Sequence, residues 1–329
     1  MISPKVSILV PVYNVSNYIE RCAHSLFQQT FEDIEYIFVN DCTPDDSIEK
    51  LQKVIEQYPN RKDFVKIIHH EKNRGLAAAR NTAIDNSSGK YIQHIDSDDW
   101  IELDMIETMY KKAETEQADI VVCDILFEKA NEKEYGSAFV PKYRKDYFGC
   151  MLEHESSYAA LWNKCIRRKL YESPDCRSVE GLNIAEDWHV SIRLYYYAEK
   201  IVKIDKAFYH YDKTNTNSLT YSKTSMHYEN VKLFYEFLDD FLKEKGLYEK
   251  YIDVVEYSKV SLKANMFIQT KKYTLIKKYA NLYHDIEMKY LKKLRRGEKL
   301  AIIFAHFKLY FLAYSTIRFI QWKNTRSEV

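Results

Sequence analysis

Tyr91-Ile-Gln-His-Ile-Asp96-Ser97-Asp98-Asp99-Trp100 is a short apolar run that ends in three carboxylates. An apolar run of this length between polar turns reads as a buried strand. Carboxylates crowded at its end repel one another. They are relieved when a hard divalent cation, which prefers oxygen ligands, is held together with a phosphate ester. Asp-x-Asp alone is a common surface turn, so the surrounding chain decides its meaning.

Upstream, Val6–Val12, Ile34–Val39 and Val65–His69 are further short β-rich runs, and Asp119–Leu126 follows downstream. Helical stripes lie between them: Ile19, Cys22, Ala23 and Leu26; Ile48, Leu51, Ile55 and Tyr58; and Leu103 to Gln117. Asn17 and Glu20 are spaced like a capping box before the first stripe. Alternation of strand and helix predicts right-handed crossovers and an α/β fold: a mostly parallel sheet sandwiched by helices. Ligands of such sheets bind beyond the carboxyl ends of the strands. Pro11-Val-Tyr13-Asn14, Asn40-Asp41 and Asp96 to Asp99 all fall at those ends.

Each motif has a plain and a chemical reading. Pro11 lacks an N–H and suits a strand end. Tyr13 offers a flat face to a base, or simply fills a turn. Asp41 could accept from an imide N–H or a ribose hydroxyl, or cap the turn that follows. Asn73-Arg74-Gly75-Leu-Ala-Ala-Ala-Arg80-Asn81 opens a helix with glycine and packs it through alanine, which brings Arg80 toward phosphate or carboxylate oxygens. Glu186-Asp187-Trp188 places two carboxylates at the start of a helix-like run, as dipole-favoured capping or as a general base beside an apolar wall. Trp162-Asn163-Lys164 shapes an acceptor side or the core. His210 is a ligand or, the more common case, a packed histidine.

The chain has 329 residues and a net charge of +1, which argues against a nucleic-acid partner. From Lys250 onward there are 17 basic and 6 acidic residues, against 32 and 42 before it. Residues 1–215 are expected to form one domain and 216–329 a helical, basic and aromatic C-terminal region. The six cysteines show no metal or redox spacing and read as buried thiols. There is no glycine-rich phosphate loop, dinucleotide turn or calcium loop. No leader-like segment and no uninterrupted apolar span appear, so a cytoplasmic location is expected. Leu300 to Trp322 is aromatic-rich but broken by Lys308 and Arg318, which leaves open an interfacial helix at the inner face of the membrane or packing on the protein or a second copy.

Taken together, Val6 to Asp41, Asn73 to Asn81, Asp96 to Asp99 and Glu186-Asp187 resemble glycosyltransferase family 2, whose members have the GT-A fold. Trp162-Asn163-Lys164 is similar to a segment of its bacterial polysaccharide-synthesis members. The resemblance covers about residues 4 to 215. It implies a metal-dependent, inverting transferase that takes a sugar from a nucleotide-diphosphate sugar, a UDP-sugar foremost, to a glycan or lipid-linked acceptor in capsule or other surface polysaccharide synthesis. It further implies that Pro11, Tyr13 and Asp41 hold the nucleoside, that Arg80, Asp96 and Ser97 line the donor pocket, that Asp98 binds Mn²⁺ or Mg²⁺, and that Asp187 is the base. Asn40 departs from the family, which often has aspartate there. A sugar-phosphate nucleotidyltransferase and a non-catalytic nucleotide-sugar-binding scaffold are the competing readings.

Overall fold

The computed structural model describes residues 4–130, 132–153, 159–182, 185–215 and 226–327. The chain divides into two compact units, residues 1–230 and 231–329. The boundary expected after residue 215 adjoins residues 216–225, outside the described set.

In the first unit the order is β1 (Val6–Val12), α1 (Ile19–Phe27), β2 (Ile34–Asn40), α2 (Ser47–Ile55), α3 (Pro59–Lys62), β3 (Val65–His69), α4 (Leu76–Asp85), β4 (Tyr91–His94), β5 (Trp100–Ile101), α5 (Met105–Glu116), β6 (Ile120–Glu128), β7 (Lys133–Gly136), α6 (Tyr147–Glu153), β8 (Lys164–Arg167), α7 (Glu186–Tyr197) and β9 (Ile201–Asp212). The strands join in one sheet in the order β3-β2-β1-β4-β8-β6-β9-β5, with β7 beside β6. Every residue of β1 is buried, as a mostly apolar run between two parallel neighbours requires, and the one polar residue, Ser7, donates to Glu35. The expected α/β architecture holds, but the sheet is mixed. β1 to β4 pair in parallel, whereas β8 pairs antiparallel with both β4 and β6, and β5 does so with β9. Half of the sheet was hidden because Lys164–Arg167 is too short, and Ile201–Asp212 too rich in charge, to show a strand period.

Two local expectations are corrected. Tyr18, not Asn17, caps α1, and no side chain bonds there. Pro11 lies inside β1 at the register position of Val39. It is tolerated because β4 pairs with β1 only from Val6 to Leu9, so no ladder partner is lost on that side.

Gly75, at φ +88°, makes the entry into α4 that a side chain would strain. Ala77, Ala78 and Ala79 are all buried, so the helix lies close against the sheet and carries Arg80 into the interior. All six cysteines are free thiols, Cys42 alone among them exposed.

In the second unit, α8 (Met226–Glu244) begins just before the boundary and is followed by α9 (Tyr248–Gln269), α10 (Tyr273–Ala280), α11 (Glu287–Tyr290), α12 (Arg296–His306) and α13 (Tyr310–Ser327). The aromatic run from Leu300 is not one helix. It breaks at Phe307–Leu309, where Lys308 takes φ +60° and Leu309 N–H bonds back to Phe304 O at 2.7 Å. Ala301, Ala305, Ala313 and Ile317 face inward. Gly297 admits the Ile320 side chain where a Cβ would stand only 2.5 Å from Cδ1.

Candidate active site

The carboxyl ends of β1, β2 and β4 carry three loops. Tyr13 and Asn14 follow β1, both exposed, and Asn14 adopts φ +55°. This loop is fastened to the one after β2: Asn14 N–H donates to Thr43 Oγ1 at 2.8 Å, and Ser16 N–H to Asp45 Oδ2 at 2.8 Å. Asp41, nearly fully buried, organises the third segment. Its Oδ1 accepts from Arg74 N–H at 2.8 Å and contacts His70 Nδ1 at 2.7 Å, while Oδ2 accepts from Gly75 N–H at 2.8 Å. Asp41 therefore holds the glycine turn in place. Oδ2 keeps one acceptor position, since a carboxylate oxygen takes about two donors.

After β4, Asp99 N–H closes a tight turn onto Asp96 O at 3.1 Å. The three carboxylates then diverge. Asp99 is wholly interior and structural: Tyr209 Oη donates to its Oδ2 at 2.7 Å and Asp212 N–H to its Oδ1 at 2.8 Å. Burial first, and then Asp98 and Asp96, push its carboxyl well above the usual range. Asp98 accepts from Asn215 Nδ2 at 2.8 Å, and burial followed by the charge of Asp96 pushes it up to about 6. Ser97, buried, separates Asp96 from Asp98. A carboxylate raised by burial and then by a like-charged neighbour is a donor that a divalent cation relieves, so Asp98 fits such an ion.

Asp96 faces Arg80. The guanidinium is 1% exposed, and its Nη2 lies 3.0 Å from Asp96 Oδ1, 3.2 Å from Asp187 Oδ1 and 4.0 Å from Glu186 Oε1. Burial opposes its charge, but Asp187, Asp96 and Glu186 outweigh that and keep it protonated. Among the described residues its Nε and Nη1 have no hydrogen-bond partner. Asp187 sits on the first turn of α7 and is held also by a backbone bond from Leu161. Burial raises its carboxyl while Arg80 restrains the rise. The neighbouring Glu186 is raised by burial and by Asp187.

Trp162, Asn163 and Lys164 are buried and form a packed floor behind Tyr209. The Trp162 ring stacks on Tyr209 at 4.3 Å and on Tyr211 at 5.6 Å. Asn163 Nδ2 donates to Cys123 O at 3.1 Å. Lys164 donates to Ala160 O and Asn163 Oδ1, and burial pushes it down to about 7 against the pull of Asp187. Trp188 is tied through Nε1 to Met151 O at 3.0 Å. His210 is a packed histidine: Glu128 and Glu102 take its two nitrogens at 2.7 and 2.9 Å, and Trp100 stacks on its ring at 4.9 Å.

The structure thus unites Arg80, Asp96 and Asp187, sets Ser97 and Asp98 beside them, and places Pro11, Tyr13 and Asp41 along the β1–β2 edge. Sequence reading missed Tyr209, Asn215, Asp212 and Arg21, which fix the acidic turn from 77 or more residues away. Arg21 donates to Asp98 O and Asp212 Oδ2 and covers the Trp100 ring at 3.7 Å.

An acidic turn at a sheet's carboxyl edge that faces a buried arginine, on a mixed α/β sheet, is the arrangement of a GT-A-type transferase fold. The profile described as Glycosyl transferase family 2 matches residues 7–173, and the chain belongs to that family. It is 36% identical over 223 residues to the glycosyltransferase EpsJ of Bacillus subtilis, covering 66% of this chain and 63% of EpsJ. It is 33% identical over 258 residues to EpsH, named a putative glycosyltransferase, of the same organism, covering 76% of this chain and 73% of EpsH. The chain thus spans under two thirds of EpsJ. In fold it is similar to residues 1–349 of S. aureus TarS, solved in complex with UDP-GlcNAc, with a TM-score of 0.68, 20% identity, and coverage of 98% of this chain and 92% of that one.

Proposed function

We propose that the chain is an inverting glycosyltransferase that moves a sugar from a nucleotide-diphosphate sugar, a UDP-sugar first, to a hydroxyl of a glycan or lipid-linked acceptor in surface polysaccharide synthesis. The observation that carries this is the Arg80 guanidinium, which joins the acidic turn to Asp187 within 3.2 Å. Tyr13 and Asp41 hold the nucleoside, with Pro11 supporting them from within β1. Asp96, Ser97 and Arg80 line the donor pocket.

Asp187 takes the proton from the acceptor hydroxyl. That oxygen attacks the anomeric carbon in line, and the bond to the diphosphate oxygen breaks, its electron pair leaving with the nucleotide. Asp187's raised basicity suits this role, since a base works best when its pKa lies nearer the working pH. Asp98 would hold Mn²⁺ or Mg²⁺, which offsets the charge developing on the leaving diphosphate when bound. Support comes from the family membership and from the raised carboxyl of Asp98. Release of UDP from a UDP-sugar panel with Mn²⁺, measured for the parent and for Asp187→Asn, tests it. Equal rates in the two would refute the assignment of the base.

A lipid-linked acceptor accords with the second unit's surface. Phe307, Leu309, Phe311, Leu312, Phe319 and Trp322 are all exposed on α13 and the turn before it, beside Lys308, Arg318 and Lys323. Among the described residues no helix is long and apolar enough to cross a membrane. Apolar rings interleaved with cations fit an anionic bilayer interface, each cation contributing on the order of 1 kcal/mol near the surface. Co-sedimentation with anionic vesicles should fall when Phe311, Phe319 and Trp322 are changed to serine; unchanged binding removes the idea.

A further inference from the structure

We infer that His284, Glu287 and His306 form a second cation site, in the helical unit, selective for a borderline metal of the zinc type. His284 precedes α11, Glu287 opens that helix, and His306 closes α12. One ligand atom from each lies within 4.8 Å of the others. Both imidazoles aim the same nitrogen at one carboxylate oxygen: His306 Nδ1 is 2.6 Å and His284 Nδ1 3.3 Å from Glu287 Oε1. Their rings lie parallel, 4.1 Å apart with 17° between planes.

Three features favour a metal over a plain hydrogen-bond cluster. First, with zinc–ligand bonds of about 2.0–2.1 Å, a tetrahedral edge is about 3.3 Å. The His284–Glu287 separation already has that length, while His306 Nδ1, 2.6 Å from the same oxygen, would have to draw back by about 0.7 Å. Second, the carboxylate is pre-oriented. Glu287 is fully buried, and its other oxygen, Oε2, is held by Lys263, which also donates to Ala280 O at 2.8 Å. Outer partners of this kind fix ligating carboxylates in metal sites. Third, the left-handed backbone of Tyr283, at φ +53°, sits directly before His284 in the turn that presents the ring.

Two imidazoles and one carboxylate give three protein ligands. His284 is half exposed, so the site's outer face is open to solvent for a fourth. Imidazole suits zinc, cobalt, nickel and copper, whereas the all-carboxylate turn at Asp98 suits magnesium and manganese. The two sites therefore select different ions. A cation here would fasten the turn at 283–287 to the end of α12 and brace the helical unit. It takes no part in sugar transfer.

The test uses the full chain without a purification tag, stripped with chelator, then exposed to Zn²⁺ in the presence of excess Mg²⁺ and gel-filtered. Atomic emission should find one zinc per chain, Co²⁺ in its place should give the intense visible bands of a four-coordinate ion, and the apparent melting temperature should rise. His284→Gln and His306→Gln should each lose the zinc and the shift in melting temperature. His284 is half exposed, so its variant keeps its circular dichroism and any UDP-sugar turnover, which separates this site from the transferase site. No retained zinc in the parent, or zinc retained equally by both variants, overturns the inference.

Discussion

Arg80 Nη2 lies 3.2 Å from Asp187 Oδ1, although the two residues come from different helices, α4 and α7. The same nitrogen touches Asp96 at 3.0 Å, so one buried cation neutralises carboxylates from both the turn after β4 and the start of α7. Removing one partner from a buried ionic group typically costs about 3–5 kcal/mol, because the others are left uncompensated.

Arg80→Ala should therefore lower both stability and turnover, with kcat/KM falling on the order of 100-fold or more by analogy with displaced catalytic groups. Arg80→Lys should recover little of the loss, since an ammonium is more strongly hydrated than a guanidinium and costs more to hold in this buried place. Steady-state kinetics with denaturation curves for both variants provide the check. Full activity in the lysine variant would show that charge alone suffices.

The pH dependence follows from Asp187. Its carboxyl is raised above the ordinary 3.8, mainly by burial, and a base must be deprotonated to act. Activity should be present at high pH and lost as pH falls through the raised value, which puts the acid limb of kcat/KM above the usual carboxylate range. Arg80 lowers that value in the parent. Replacing Arg80 with methionine should move the residual activity's acid limb to higher pH.

Tyr209 supports the acidic turn from below, donating to Asp99 and accepting from Asp96 N–H at 3.1 Å. Tyr209→Phe should cost about 1–3 kcal/mol, the penalty for unsatisfied buried partners, and weaken donor binding. Trp162→Ala, which also empties the stacked floor, should cost about 3–5 kcal/mol. Urea unfolding gives the first quantity and donor titration the second.

These supports mark where sequence reading stopped. Val6–Val12 and Tyr91–His94 were legible because strands buried on both faces are mostly apolar runs. Asp96, Asp98, Arg80 and Asp187 stood out because they fall at strand and helix ends in the order seen in glycosyltransferase family 2. Tyr209 and Asp212 meet Asp99 across 110 and 113 residues, and no local period reports such a pairing. Asp41 was visible as a polar residue at a strand end, but its grip on Arg74 and Gly75 depends on how α4 enters the sheet. Trp162 was open between an acceptor side and the core, and Trp188 read as an apolar wall; the structure stacks the first on Tyr209 and tethers the second's nitrogen to Met151.

His189 should govern part of the acid sensitivity. It is buried, and burial followed by Arg193 pushes it down to about 3 from 6.5. Between those values the unfolded chain binds the proton and the folded chain does not. Stability is thus complete above about pH 6.5 and lost as pH falls toward 3, by a few kcal/mol as an order of magnitude. His189→Asn should flatten the stability profile across that window in denaturant titrations.

The most direct measurement is calorimetric titration of UDP-sugars into the parent and into Asp98→Ala, each with Mn²⁺ and with chelator. Binding to the parent should require the ion, and the alanine variant should bind at least about tenfold more weakly, a difference of roughly 1.4 kcal/mol. Equal affinity in all four titrations, or no UDP-sugar binding by the parent, would contradict the account.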